Sequence, residues 1–371
     1  MKKEVLAIFK ELFPEGKEGE LLAPYTTFQI GGPADFFVVI KEKEQFVKAI
    51  STAREHNVPL FILGGGSNVL ISSEGFHGLV IKNEMRAFSV EGDSIIAESG
   101  TVLASVIKAA KDNGLIGIAK LQGVPGSFGA AVRGNVGVPD CEIGDFVTSA
   151  TILCENGEIK TVDREYFEYG YRVSKLKKNK EIILEATIKL TTGGEPTVIQ
   201  EEMMSTLKMR KAKQPWGKSG GSYFKNPSKE KAAGFLLDQV GAKEQNVGAA
   251  AISEKHANFF LNKGQATSYE VQDLADKVKK KVLMKFGILL EEEVEFIGKK
   301  KYNNHIHQHP VVKVMIIIVL IILGIIGVIF PVMPGVVFFF LAIYIAFPER
   351  AAQIIRSIHF MRDKVKGKKD E

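Results

Sequence analysis

Residues 59–70 read PLFILGGGSNVL, and this stretch decides the fold expected for the first half of the chain. The apolar run at 60–63 predicts a buried strand. Five small or polar residues follow it: Gly64, Gly65, Gly66, Ser67 and Asn68. Glycines adopt positive φ and let the backbone approach a ligand, and successive N–H groups in such a turn suit a diphosphate. A tight turn after a strand is the alternative, and neither a Walker A loop nor a GxGxxG fingerprint is present.

A second glycine-rich stretch, LQGVPGSFGAAVRGNVG at 121–137, favours the ligand-binding interpretation. Its glycines recur at short spacing and the segment between them is rich in small residues. This composition predicts a loop that leads into the start of a tightly packed helix. Such a loop holds a phosphate or a flat ring against the backbone.

Apolar patterning around these two stretches predicts a small α/β unit followed by a β-rich unit. The first unit has an amphipathic helix at the N-terminus, a helix at 42–56 and strands at 35–40, 60–63 and 79–81. The second has a helix at 102–113 and strands at 94–98, 148–154 and 181–190. Helices at 197–213 and 268–286 and a strand through ILLEEEVEFIG, 288–298, follow.

Three polar side chains stand out as candidates for chemistry, each with a simpler alternative. Arg172, in YGYRVS, lies near the glycine loops if the flanking strands pair, but an arginine in a basic loop is often only solvated. Ser222 lies between glycines and an aromatic residue, where turn chemistry is the alternative. No GxSxG or SxxK motif supports a serine nucleophile. Glu291 and Glu293 share one face of the last predicted strand, where a solvated carboxylate is the alternative.

Composition and charge narrow the class of protein. The chain has 371 residues, 45% of them hydrophobic, which gives room for two or three globular domains. Residues 299–371 hold 11 basic and 4 acidic side chains, so the tail carries +7 and residues 1–298 carry −1 of the net charge of +6. The near-neutral body does not predict a nucleic-acid surface. Cys141 and Cys154 form no CxxC motif or disulfide framework, which suits a reducing compartment.

Seven short motifs resemble one family, the UDP-N-acetylenolpyruvoylglucosamine reductases (MurB) of peptidoglycan synthesis. They are TTFQIGGPAD, LGGGSNVL, GVPGSFGAAVRGNVG, YGYRVS, GSYFKNP, SEKHANFFLN and LEEEVEFIG, in the family's order over residues 20–298. Each motif is modest alone, and seven in order are specific. The resemblance implies an α+β fold with an FAD-binding domain of the vanillyl-alcohol-oxidase (PCMH) type and a smaller α/β substrate domain.

The resemblance also implies a reaction and a set of residues. NADPH reduces FAD, and the reduced flavin reduces the enolpyruvyl ether of a UDP-sugar to UDP-N-acetylmuramate. By motif match, Arg172 and a protonated or proton-sharing Glu293 hold the developing enediolate charge, and Ser222 is the general acid. Lys213, with Lys225 as a second candidate, is the cation that lowers the cost of removing the proton from the serine hydroxyl. The implied FAD-binding residues are Gly64, Gly65, Gly66, Ser67, Asn68, Gly123, Pro125, Gly126, Ser127, Gly129 and Asn135. No metal is expected.

The chain departs from the family in two places near the flavin. Arg133 stands in Val-Arg-Gly-Asn where the family more often has an apolar residue and methionine, and Gln29 stands where a basic residue is common. Both are interpreted as tuning of the flavin site. The short segment from Tyr171 to Leu190 resembles the family's second type. The expected division is 1–86 and 87–195 for the FAD-binding module, 196–298 for the substrate domain and 299–371 for the tail.

The tail has no counterpart in the family. Residues 314–348 contain no charged side chain, which exceeds the ~18 apolar residues that mark a membrane helix, and Pro331 and Pro334 interrupt them. Because both flanks are basic, the sequence predicts a transmembrane hairpin at about 312–348 with both ends in the cytoplasm. A single span is the alternative. His305, His307 and His309 just before it are interpreted as incidental rather than as a metal site.

The sequence therefore predicts a cytoplasmic reductase tethered to the inner face of the membrane, with a nucleotide-sugar substrate and no nucleic-acid partner. Two alternatives stay open. One is another FAD oxidoreductase of the same fold, which has no reason to combine Arg172, Ser222 and Glu293. The other is a non-catalytic flavin-binding scaffold at the membrane. The preference for NADPH over NADH and the oligomeric state do not follow from the sequence.

Overall fold

The computed structural model describes residues 1–228 and 230–299, together with 317–319, 321, 322 and 341. Contacts between Cα atoms divide the chain into two units. The first comprises Met1–Lys277 and Glu291–Lys299, and the second comprises Val278–Leu290 and the tail from Lys300. All the elements that form the candidate site belong to the first unit.

Helices and strands follow one another as the sequence predicted for most of the body. The α-helices of residues 1–299 are α1 Lys3–Leu12, α2 Lys43–Glu55, α3 Leu103–Asp112, α4 Phe128–Gly134, α5 Pro196–Lys213, α6 Ala233–Gln239 and α7 Ser268–Phe286. The strands are β1 Lys17–Glu18, β2 Ala34–Ile40, β3 Leu60–Leu63, β4 Val69–Ile71, β5 Phe76–Asn83, β6 Phe88–Glu91, β7 Ser94–Glu98, β8 Gly137–Val138, β9 Cys141–Glu142, β10 Val147–Leu153, β11 Ile159–Asp163, β12 Ile182–Lys189, β13 Asn246–Val247, β14 Ala250–Ile252, β15 Phe260–Asn262 and β16 Glu295–Ile297.

The N-terminal sheet has the order β1-β2-β5-β3, and its β2, β5 and β3 are parallel. Strand β2 reads ADFFVVI and is buried at five of its seven positions, a pattern typical of a parallel strand covered on both faces. Helices α1 and α2 contribute Phe9 and Phe46 to the same core as Phe36, and all three side chains are fully buried. The glycines after Leu63 lie at the carboxyl end of β3, and ligands commonly bind at the carboxyl ends of parallel strands.

The second sheet is antiparallel, with the order β11-β10-β12-β7-β6. Strands β10 and β12 pair as the sequence analysis expected, with Ala150 opposite Ala186. Helices α3 and α4 supply Val106, Phe128 and Val132 to the core on this sheet. The second glycine stretch is therefore the loop that enters α4, and the core beneath that helix fixes its position.

The chain returns to the first glycine loop at its end. A small sheet, β13-β14-β15, lies between α6 and α7 in sequence, and β16 pairs in parallel with β4, with Ile297 opposite Ile71. The prediction of one strand through 288–298 is wrong for its first part, because the regular strand covers only Glu295–Ile297. The residues before this strand pair elsewhere, since Glu292 forms an isolated antiparallel bridge with Phe224.

In the second unit, α7 continues to Phe286 and ends at Gly287. Gly287 has a φ of +66° and donates its N–H to the carbonyl of Leu283 at 2.9 Å, a C-terminal arrangement that glycine favours. The hairpin predicted at about 312–348 and the three histidines lie outside the described residues, apart from the helical positions 317–319, 321, 322 and 341. Among the residues described, no helix is both long and apolar enough to cross a membrane.

Candidate active site

A single large cleft in the first unit contains nearly all of the candidate residues. Its volume is about 2170 Å³. Pockets for one small molecule measure roughly 300–1,000 Å³, so this cleft has room for two ligands side by side. One part of its lining, the glycine wall, is formed by the two glycine stretches, and another part, the charged wall, carries charged and aromatic side chains from Tyr171, Arg172, Arg210, Trp216 and Glu293.

The first glycine loop approaches other backbone too closely to accept side chains. A Cβ on Gly65 would lie 2.6 Å from the Cα of Gly126, and one on Gly66 would lie 2.1 Å from the carbonyl oxygen of Tyr25. Gly66 also has a φ of +63°, in the left-handed region that favours glycine. The amino group of Lys82 donates to the carbonyl of Gly64 and fixes the start of the loop. These contacts explain why three consecutive glycines follow β3.

The second glycine loop is attached directly to the first. The hydroxyl of Ser67 donates to the carbonyl of Pro125 at 3.0 Å. Helix α4 begins after Ser127, and its Gly129 packs so tightly on Ser99 that a Cβ would lie 2.4 Å from the serine Cβ. The two stretches therefore form one continuous backbone wall, although about 60 residues separate them in sequence.

Asn135 supports this wall but does not line the cleft. It ends α4 with a φ of +47°, and its side chain is almost fully buried. The side-chain amide donates to Glu142 at 2.7 Å and to the carbonyl of Gly170 at 3.0 Å, and its oxygen accepts from the N–H of Gly144 at 3.0 Å. Asn135 thus joins the second glycine stretch to the loop that carries Arg172. The other ten residues expected at the cofactor all line the cleft.

Arg172 and Glu293 form an ion pair on the charged wall. The Nε of Arg172 donates to Oε1 of Glu293 at 2.8 Å, and both side chains are about four-fifths buried. The remaining nitrogens donate to the carbonyls of Gly137, at 2.5 Å, and Asn135, at 3.4 Å. Arg172 adopts a φ of +57°, which costs a non-glycine residue on the order of 1–3 kcal/mol. The position of this guanidinium is therefore fixed by tertiary contacts.

Ser222 is positioned beside this pair by its backbone. Ser222 forms an antiparallel bridge with Phe259, and the next residue, Tyr223, donates its N–H to the carbonyl of Asn258 at 2.8 Å. The carbonyl of Tyr223 accepts from the N–H of Glu293 at 2.7 Å. Among the described residues, the Ser222 hydroxyl hydrogen-bonds to none, so it is available to a ligand.

The basic residues predicted at 213 and 225 do not line the cleft. Helix α5 presents Leu207, Arg210, Lys211 and Gln214 to it, at the spacing of one helical face. Lys213 is exposed on another face of the same helix. Lys225 pairs instead with Glu291, with 2.6 Å between the amino group and the carboxylate. Glu291 is largely exposed, so the two glutamates expected on one strand face have different partners.

Arg210 is the cleft residue that sequence reasoning missed. Its Cδ lies 3.3 Å from the position of a Cβ on Gly123, so it reaches the second glycine loop. Burial, and after it the positive charge of Arg172, holds the pKa of Arg210 below its usual value. Within the described part of the chain it makes no ion pair. The helical period of RKAKQP contained the signal, because it places Arg210 and Gln214 on one face and Lys213 off it.

The two departures from the family pattern differ in their environment. Arg133 lines the cleft and pairs with Glu295 at 3.3 Å, and Lys177 pairs with the same carboxylate at 3.0 Å. Burial alone would raise the pKa of Glu295, but the charges of Arg133 and Lys177 outweigh it and hold the pKa below its ordinary value. Gln29 is exposed and outside the cleft, although its φ of +51° is unusual.

Comparison with known proteins assigns the chain to a family. Residues 212–297 match the model of the UDP-N-acetylenolpyruvoylglucosamine reductase C-terminal domain, and residues 34–163 match an FAD binding domain. A UDP-N-acetylenolpyruvoylglucosamine reductase of Clostridium novyi is 39% identical over 78% of this chain and 94% of its own length. One from Clostridium perfringens is 40% identical over 75% of this chain and 91% of its own. The chain belongs to the UDP-N-acetylenolpyruvoylglucosamine reductase family.

A solved structure of this family agrees with the fold. The crystal structure of UDP-N-acetylenolpyruvylglucosamine reductase from Thermus caldophilus matches with a TM-score of 0.66 and 32% identity, over 76% of this chain and 98% of that one. This confirms the family expected from the seven motifs, with an α+β fold and an FAD-binding module. The matching C-terminal domain ends at residue 297, before the tail.

The backbone wall fits an FAD diphosphate. In residues 1–228 and 230–299, the N–H groups of Gly65, Gly66, Ser67 and Asn68 donate to no protein acceptor. Consecutive donors of this kind form an anion-binding concavity, and buried backbone donors otherwise find partners. The side-chain amide of Asn68 is occupied by the carbonyl of Glu293 at 3.0 Å, so the loop holds its shape without using these N–H groups.

Proposed function

We propose that the chain reduces UDP-N-acetylglucosamine enolpyruvate to UDP-N-acetylmuramate, a step of peptidoglycan synthesis, with FAD as cofactor and NADPH as reductant. Family membership supports the reaction. The observation that carries the assignment to this cleft is the Arg172–Glu293 pair, which lines the same cleft as Ser222 and the glycine wall. Bound FAD would supply the redox chemistry by passing reducing equivalents from NADPH to the vinyl ether.

We assign the FAD-binding role to the glycine wall, residues 64–68 and 123–129. The N–H groups of Gly65, Gly66 and Ser67 would donate hydrogen bonds to the diphosphate. Gly64 and Gly129 let the segments of this wall pack closely, since an added Cβ would lie 2.4 Å from the Ser127 Oγ and the Ser99 Cβ, respectively. Asn135 acts as a positioning residue, since its amide is used by the protein.

The charged wall stabilises the negative charge that develops on the substrate. Hydride addition to the β-carbon of the enolpyruvyl ether leaves this charge on the α-carbon, delocalised into the adjacent carboxylate. The Arg172 guanidinium, held by Glu293, is the cation aimed at this charge. The Ser222 hydroxyl donates the proton to the α-carbon as general acid, and water returns a proton to the serine oxygen before the next turnover.

Arg210 and Gln214 would bind the diphosphate of the nucleotide-sugar. A half-buried guanidinium without a carboxylate partner suits an anionic ligand, and arginine binds phosphate in a bidentate manner. Lys213 and Lys225, the lysines given by motif match, have no step in this proposal because they do not line the cleft. Residues 196–298 would form the substrate domain, and 1–86 with 87–195 the FAD-binding module.

Turnover and cofactor content test the function directly. The purified protein should be yellow and release FAD on denaturation. With NADPH and UDP-N-acetylglucosamine enolpyruvate, it should bleach and then recover its flavin absorbance as UDP-N-acetylmuramate forms. If NADPH reduces the bound flavin but this substrate never re-oxidises it, the result would favour another oxidoreductase of the same fold. A protein without flavin would contradict the cofactor assignment.

We further propose that the tail tethers the enzyme to the cytoplasmic membrane as a hairpin. The support is sequence: 35 uncharged residues at 314–348, proline interruptions, and basic flanks on both sides. Cysteine labelling of intact cells tests it, because both flanks should be protected from an impermeant reagent. Labelling after Arg350 from outside would instead indicate a single span. A chain cut after Gly298 should leave the membrane and keep its turnover.

A further inference from the structure

Trp216 occupies an unusual position on the charged wall. It is the only tryptophan of the chain, it lines the cleft, and 75% of its surface is exposed. Tryptophan is mostly buried in folded proteins, and aromatic side chains are typical lining of ligand pockets. The catalytic roles proposed above do not use this side chain.

The surroundings of Trp216 define the chemistry of its ligand. The amino group of Lys211 lies 5.9 Å from the centre of the indole ring, on the helical face that also presents Arg210 to the cleft. Arg210 has no carboxylate partner among the described residues. A flat ring beside cations is suited to a nucleotide, with the base on the ring and the phosphates on the cations. An apolar ligand would gain nothing from the cations.

The chain path indicates which nucleotide is bound. Six positions separate Trp216 from Ser222 in the sequence, so the two Cα atoms are at most about 22 Å apart. An extended nucleotide-sugar spans a distance of this order. A substrate whose enolpyruvyl end meets Ser222 can therefore place its base at Trp216, whereas the FAD diphosphate is assigned to the glycine wall.

We propose that Trp216 is the residue that recognises the uracil of the nucleotide-sugar, by stacking its indole ring on the base while Arg210 binds the diphosphate. This inference rests on the proposed function, since it concerns the same substrate. It makes Trp216 a specificity residue for the base, separate from the groups that act on the enolpyruvyl end.

Calorimetric titration of the flavin-loaded protein with UDP, and separately with NADP⁺, tests the proposal. Trp216→Ala should weaken UDP binding roughly tenfold, as expected for a lost base–aromatic stack, and leave NADP⁺ binding unchanged. Trp216→Phe should restore most of the affinity. Phe235→Ala is the matched control, because Phe235 is an aromatic residue with 60% exposure on α6 outside the cleft. In the wild type, UDP should also quench the fluorescence of the single tryptophan.

Steady-state kinetics separate this proposal from the function itself. In Trp216→Ala, the KM for the enolpyruvyl substrate should rise more than kcat falls, since a base contact binds ground state and transition state alike. Unchanged UDP affinity with continued turnover would overturn the role of Trp216 and leave the function standing. Weakened NADP⁺ binding with normal UDP binding would assign Trp216 to the reductant and overturn the proposal as well. A wild-type protein that turns over no enolpyruvyl substrate would contradict the function.

Discussion

The two walls of the cleft use different parts of the chain for recognition. The glycine wall consists of backbone from two loops that pack closely, where a Cβ on Gly65 would lie 2.6 Å from the Cα of Gly126. The charged wall consists of side chains, where Arg172 meets a glutamate 121 residues away in sequence. The glycine wall is thus limited by steric fit, and the charged wall by electrostatics and the position of single atoms.

This difference predicts how each wall responds to substitution. Steric changes in the glycine wall should reduce cofactor occupancy, because loops that cannot approach each other lose their shared concavity. Changes in the charged wall should leave the cofactor bound and reduce the rate, because those groups act on the substrate. Four substitutions test the comparison, in order of decreasing expected effect.

The largest effect is expected for Ser222→Ala. It should slow re-oxidation of the reduced flavin by the enolpyruvyl substrate by roughly 10²–10⁴-fold, the usual contribution of a general acid, and spare flavin reduction by NADPH. Stopped-flow absorbance measures the two half-reactions separately. Ser205→Ala, an exposed serine on α5 outside the cleft, is the control. Equal slowing of both halves would mean that Ser222 is structural.

Arg172→Lys should follow, with kcat/KM lower by roughly 10²–10³-fold, the cost of removing an oriented donor from developing charge. Lysine keeps the charge but cannot contact Glu293 and the Gly137 carbonyl in the same fork geometry. Bound flavin per protein should stay at the wild-type level. Arg164→Lys controls for loss of a guanidinium–carbonyl bond away from the cleft, since Arg164 donates to Gly144 at 2.7 Å. If Arg172→Lys loses its flavin, the two walls are not independent.

Gly65→Ala should lower the stability of the flavin-loaded protein by about 1–3 kcal/mol, the range for overpacking, because its Cβ meets the backbone of Gly126. The expected readout is a lower flavin content after purification and a lower melting temperature. Gly264→Ala is the matched control, since no atom lies within 4 Å of an added Cβ there. Full flavin occupancy in Gly65→Ala would mean that the loops do not need their close approach.

The smallest effect is expected for Glu295→Gln. The Glu295 pKa is lowered in the folded protein, so the carboxylate contributes stability above its unfolded pKa of about 4.5, and this is lost as the pH falls through the folded pKa. The side chain is about one-third exposed, so the contribution is about 1 kcal/mol or less. Urea unfolding should show Glu295→Gln to be less stable than the wild type at pH 7, and the difference should shrink as the pH is lowered below 4.5. A difference that stays constant over this range would show that the Arg133–Glu295–Lys177 contacts are not its source.

Sequence reasoning named glycine-wall residues that line one cleft because the information there is local, and their role at the cofactor stays a prediction. An apolar strand followed by three glycines limits the backbone to a few conformations, and ten of the eleven residues expected there line the cleft. The exception, Asn135, turns inward because Glu142, Gly144 and Gly170 satisfy its amide. A sequence does not show which partner a polar side chain takes when the protein and a ligand both offer one.

For the charged wall, sequence reasoning named Arg172, Ser222 and Glu293, which line the cleft, and Lys213, which does not. It did not name Arg210, and the roles given to all these residues stay predictions. One helical turn holds both Arg210 and Lys213, and only the packing of α5 decides which of them reaches the cleft. The strand expected through 288–298 was shortened for a related reason, because those residues pair first near Phe224 and then with β4.

The sequence by itself determined the family, the two backbone loops and the residue types that the chemistry needs, because motif order and glycine placement are properties of the chain. Tertiary structure alone decided which charges meet. The Arg172–Glu293 pair, the Arg133–Glu295–Lys177 cluster and Arg210, which forms no ion pair within the described residues, depend on elements far apart in sequence that pack to within a few ångströms. Coulomb energies and hydrogen bonds change steeply over such distances, so the pairing follows only once the core has fixed each backbone.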